Sequence, residues 1–156
     1  MNWFLSISIL IGVLATAEDL YRRRISNPTT VAAFALGLAA HTALRGLRGA
    51  GDSLAGTIIG FLVFFIFFLL GGMGAGDIKL MAGFGAVLGT AQILMAALLT
   101  AIVGAFFAMG YLVLRKLRRK TRSDAAETEG NRKGAVEAIP YAPAITLGVL
   151  LSFAAR

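Results

Sequence analysis

The chain has no cysteine and a single histidine, His41. Without cysteine there is no disulfide, no thiolate nucleophile and no Cys-ligated zinc, and one histidine leaves little for an imidazole metal site. Charge is also scarce. Only 15% of the 156 residues are charged and eight are acidic, and long stretches carry no charge at all. That excludes an ordinary water-facing surface. What replaces it is apolar: 58% of residues are hydrophobic and the mean hydropathy is +0.80, against roughly 45–50% apolar residues in ordinary soluble domains. These proportions describe an all-α protein that crosses a membrane several times. The length implies one membrane-embedded domain, residues 1–156. A net charge of +7 in a soluble protein would point to nucleic acid. Here the basic residues lie in loops between apolar segments, which points to membrane lipid and away from nucleic acid. Met1-Asn2-Trp3 lacks a basic start, so the first apolar segment reads as a retained helix.

Six apolar segments are visible, at residues 3–17, 28–44, 54–70, 78–88, 91–114 and 139–155. Trp3 fits an interfacial anchor. Asn27-Pro28 reads as an N-cap followed by proline at the first helical position. Residues 45–53 read as a glycine-rich loop. His41 reads as an interfacial residue near the outer end of the second segment. Gly56 and Gly60, and again Gly85 and Gly89, have the four-residue spacing that lets helices approach closely. Phe61, Phe64, Phe65, Phe67 and Phe68 read as lipid contact and packing. The fourth segment is short for a crossing and is expected to start deeper or to extend through Asp77. The basic run at residues 115–120 is expected to continue the fifth helix into lipid headgroups. With six spans, 12 basic residues fall in loops on one side and 3 on the other. The positive-inside rule then places both termini outside and the three basic loops in the cytoplasm.

The stretch that organises the chain is Gly71-Gly72-Met73-Gly74-Ala75-Gly76-Asp77-Ile78-Lys79. Its glycines permit close backbone approach, and an ionisable residue at a membrane boundary suggests function. The plain alternative is a flexible turn whose Asp77 caps the next helix. On the six-span reading Asp19, at the end of the first segment, lies at the same depth as Asp77. Two close carboxylates resist being ionised together and share one proton. That suits hydrolysis of a peptide bond: one carboxylate takes a proton from water while its protonated partner polarises the carbonyl. No metal, cofactor or nucleophilic side chain is needed. Asp19 has a plainer alternative as well, pairing with Arg22 or Arg23. Glu18 is a rival carboxylate, but it projects about 100° away on a helix. Lys79 is either a headgroup anchor or a modulator of Asp77.

These motifs resemble those of the prepilin peptidases, membrane aspartic proteases with a Gly-x-Gly-Asp motif, here Gly74-Ala75-Gly76-Asp77. Asp19 through Arg24-Ile25-Ser26-Asn27 matches the family's first motif, with Ser26 where proline is usual. Pro140-Tyr141-Ala142-Pro143-Ala144-Ile145-Thr146-Leu147-Gly148 matches its C-terminal pattern. The small size is similar to that of the peptidases of tight-adherence (Flp) pilus systems. The resemblance implies an inner-membrane endopeptidase that removes the basic leader of prepilin-like protein precursors at the cytoplasmic face. Asp19 and Asp77 would be catalytic, Gly74, Gly76 and Lys79 would form the active-site loop, and Arg24, Asn27 and Pro140 would support the motifs. The paired-cysteine, zinc-binding segment of larger members has no counterpart here, so N-methylation is not expected. Two other readings compete: a pilus-assembly scaffold whose acids pair with arginines, and a small transporter using both acids as a proton relay. A transporter would place them near the midplane, commonly within repeated halves.

Overall fold

The structure, a computed structural model, describes residues 3–70, 73–121 and 141–155. These residues form helices and no strand: α1 (Trp3–Arg22), α2 (Asn27–Leu69), α3 (Ala75–Thr121) and α4 (Ala142–Ala154). α1, α2 and the Ala75–Gly110 part of α3 are long and apolar enough to cross a membrane. α4 has 13 residues, about 20 Å at 1.5 Å per residue.

α1 ends where Arg23 turns into the left-handed region (φ 50) and its N–H donates to Asp19 O at 2.9 Å. That closure satisfies one of the carbonyls a helix end leaves unpaired. α2 then begins one residue earlier than the sequence suggests. Ser26, extended at φ −74 and ψ 146, takes the N-cap position, with Asn27 and Pro28 inside the first turn.

The two long helices are each broken at one glycine, Gly46 (φ 60, ψ −145) in α2 and Gly89 (φ 71, ψ −178) in α3. Both residues adopt positive φ, which a side chain resists. The chain reverses at each break. In the first half of α2, Gly37 lies against Ala86 and Val87, and Ala33 lies against Gly83. In the second half, Gly56 meets Gly85 and Gly60 meets Met81. The two halves therefore run in opposite senses along the first half of α3. The glycine-rich loop expected at residues 45–53 is thus corrected: apart from Gly46 it is helical, because one left-handed glycine makes the turn. The second half of α3 runs antiparallel to α4, with Gly148 on Thr100 and Gly104 near Tyr141.

The first half of α3 sits at the centre. Leu80, Met81, Phe84 and Val87 are fully buried, joined by Ile11, Phe64, Ile93 and Ile145 from the surrounding helices. It begins at Ala75 and so extends through Asp77, as its short apolar run required. Gly56 and Gly85 let α2 and α3 meet backbone to backbone. Outside this core, Val13, Ile58, Leu62, Ile66, Leu98 and Phe106 are exposed. Such an apolar exterior suits lipid, not water. Phe64 is buried while Phe61, Phe67 and Phe68 face outward, in line with a mixture of packing and lipid contact.

At the break end, α2 braces the interruption in α3. Ser53 donates to Ala86 O at 2.9 Å and His41 Nε2 lies 3.1 Å from Val87 O. Asp52 accepts from Thr90 N at 3.0 Å and from Thr90 Oγ1 at 2.6 Å. The carbonyls and amide freed at Gly89 thereby regain partners. His41 is accordingly no interfacial residue: it is buried, with Phe4 over its ring at 4.6 Å.

Candidate active site

The opposite end of the bundle gathers the residues singled out in the sequence. Asp19 is carried on the last turn of α1 and is 8% exposed; Asp77 is on the first turn of α3 and is 7% exposed. Carboxylates are seldom this buried without partners. Asp19 Oδ2 accepts from the backbone N–H of Ala142 at 3.1 Å, at the start of α4. Asp77 Oδ2 accepts from the N–H of Gly74 at 3.1 Å, and Asp77 N returns a bond to Gly74 O. This is the reach-back of a capping box, made by an aspartate. Each acid therefore sits at a helix N-terminus, where the backbone dipoles favour negative charge. The two acids lie at the same end of the bundle, Asp19 against the start of α4 and Asp77 at the start of α3.

Glu18 has a different occupation. Its carboxylate accepts from Ser26 N at 2.9 Å, Ser26 Oγ at 2.7 Å and Thr29 Oγ1 at 2.8 Å. It fastens the turn between α1 and α2, on another side of the helix from Asp19. That turn then reaches the glycine stretch. Lys79 Nζ donates to Asn27 Oδ1 at 3.2 Å, and Ile25 sits where a Cβ on Gly76 would come within 3.4 Å of its own Cβ. A Cβ on Gly74 would lie 3.5 Å from Asp77 Oδ2. So Asp19, Asn27, Gly74, Gly76, Asp77 and Lys79 belong to one region. Arg24 is exposed, and Pro140 lies outside the described residues. Among those residues no group of three His, Cys, Asp or Glu side chains is placed to hold a metal ion, and the arginine–carboxylate contact is Arg45–Asp52 (3.7 Å), at the break end.

The sequence reading missed two partners. The N–H of Ala142 was invisible because a backbone amide has no sequence signature, although Pro143 in the first turn marks a helix start nearby. Asp52 was also passed over, although an acid opening an apolar run is itself a signal.

The fold and this end of it define a helical membrane protein with two buried, backbone-held carboxylates at neighbouring helix N-termini. The family described as the type IV leader peptidase family matches residues 5–109, and the chain belongs to that family. Asp19 and Asp77 both fall within the matched residues, whereas α4 does not. The prepilin leader peptidase/N-methyltransferase of Aeromonas hydrophila is 40% identical over 79 residues, covering 46% of this chain and 27% of that protein. The protein of the same name from Aeromonas salmonicida (strain A449) matches to the same extent. The matched stretch thus spans only 27% of the length of these curated relatives. No solved structure matches significantly.

Proposed function

We propose that this protein is an aspartic endopeptidase of the inner membrane that removes the leader of prepilin-like precursors at the cytoplasmic face. The observation that carries the reading is the pair Asp19 and Asp77, each nearly buried and each held through one oxygen by a backbone amide. Among the described residues the remaining oxygen of each has no hydrogen-bond partner, which leaves it for chemistry. One ionised carboxylate takes a proton from water as the water oxygen attacks the scissile carbonyl carbon. The protonated partner gives its proton to the carbonyl oxygen. The tetrahedral intermediate then collapses: the C–N bond breaks, the amine leaves with a proton from the first acid, and one hydroxyl of the intermediate returns its proton to the partner carboxylate, which restores the pair. Family membership supports leader-peptide cleavage as the reaction.

Six helical segments, two of them meeting at each glycine break, are in keeping with six crossings and outside termini. The excess of basic residues in loops at the acid end favours the cytoplasm for that end. A basic leader would then approach in water while its apolar helix stays in lipid. The scaffold reading needs acids neutralised by arginines, yet Asp19 is bonded to an amide and Glu18 to Ser26 and Thr29. The test is incubation of the purified protein in detergent with a candidate prepilin, followed by determination of the new N-terminus. The expected result is a single new terminus between leader and apolar helix. An intact precursor, across prepilins cleaved by other family members, would contradict the reading.

A further inference from the structure

A cavity of about 210 Å³ opens between α2, α3 and α4, lined by Phe64, Met73, Thr100, Gly104, Tyr141 and Ile145 among others. Two of its walls adjoin the groups that hold the acids. Met73 precedes Gly74, whose N–H binds Asp77, and Tyr141 precedes Ala142, whose N–H binds Asp19. The cavity therefore begins one residue from each of the two amides that hold the acids. Its rim includes Phe67, Ala101 and Ala105, all exposed on the apolar exterior, so it opens sideways toward lipid.

We propose that this cavity receives the first apolar side chain after the scissile bond of the precursor. The proposal rests on the peptidase reading and adds a specificity pocket to it. Among the described residues the lining carries no charged side chain, so these residues offer a basic leader nothing to pair with. A chain arriving from lipid brings apolar side chains, and the space holds one large side chain, not a helix.

Gly104 sets the depth of the pocket. A Cβ there would lie 3.7 Å from the Tyr141 ring, ordinary contact, so a larger residue at 104 fills the space without striking backbone. The experiment compares the full-length protein and Gly104→Val on two precursors, with Phe or Ala after the scissile bond. Wild type is expected to prefer Phe. Gly104→Val is expected to lose about tenfold or more in kcat/KM on the Phe precursor and far less on the Ala precursor, the usual discrimination for added methyl groups in an apolar pocket. Equal losses on both, or no loss on either, would overturn the pocket while leaving the peptidase reading intact. If wild type cleaves neither precursor, both readings fall. A second measurement does not depend on the variant folding well. A benzophenone amino acid at Ala105, in protein inactivated by Asp77→Asn, is expected to crosslink to the precursor just after the scissile bond. Crosslinks to the leader alone would overturn the proposal.

Discussion

Asp19, on the last turn of α1, accepts a hydrogen bond from the backbone amide of Ala142, 123 residues further along the chain. The bond ties the first helix to the start of the last. It gives Asp19 a structural duty beside the chemical one proposed for it, and the two are separable. Asp19→Ala leaves a buried amide without an acceptor, at a cost of about 1–3 kcal/mol. Asp19→Asn keeps an acceptor. Denaturation midpoints in detergent are expected to fall for Asp19→Ala and to change little for Asp19→Asn, with cleavage lost in both. Equal midpoints for the two variants would show that the Ala142 bond contributes nothing.

Glu18 is expected to matter for the turn and not for the reaction. Its carboxylate gathers three donors from Ser26 and Thr29. Glu18→Ala should lower stability by about 1 kcal/mol or more, and cleavage per folded molecule should persist. The check is prepilin processed at equal membrane level. An inactive Glu18→Gln variant with normal stability would move the first catalytic role from Asp19 to Glu18.

His41 braces the break in α3 by pairing with Val87 O. His41→Ala removes that partner and the ring beneath Phe4. A loss of about 1–3 kcal/mol is expected from the unpaired buried carbonyl alone, again with activity retained per folded molecule. Thermal unfolding in detergent reads the loss. An unchanged midpoint would show that the break at Gly89 needs no bracing from α2.

Two glycines of α3 should respond in opposite ways to alanine. A methyl at Gly85 would strike the backbone of Gly56, whereas one at Gly110 meets nothing within 4 Å among the described residues. Gly85→Ala is expected to reduce folded protein sharply. Gly110→Ala should be neutral, or stabilising by up to about 1 kcal/mol, since alanine is the better helix former. Folded yield from size-exclusion chromatography measures both, and equal yields would contradict the close α2–α3 contact.

Much of this was legible because membrane segments declare themselves by composition. The apolar runs, the close-packing spacing of Gly56 with Gly60 and of Gly85 with Gly89, and the placing of Asp19 with Asp77 at one end all follow from hydropathy, residue spacing and charge. The reversals at Gly46 and Gly89 were harder. A single left-handed glycine makes each turn, so the expected loop at residues 45–53 is mostly helix, and nothing in the composition marks which glycine turns. His41 was misjudged because one polar residue near a segment end looks interfacial until the carbonyl it serves is located. Asn27 was taken for the cap because Pro28 follows it. Ser26 takes the N-cap position instead, with its hydroxyl turned to Glu18, and the Asn27 side chain is left for Lys79.

The most direct test of the account compares Asp19→Asn, Asp77→Asn and the double variant, measured as the fraction of prepilin processed at equal membrane level. If the two carboxylates act as one unit, either single change abolishes cleavage and the double variant is no worse, because half of the pair cannot both activate water and polarise the carbonyl. Both substitutions keep nearly the same shape, so all three proteins should reach the membrane folded. Substantial processing by either single variant would contradict the account and remove that residue from the mechanism.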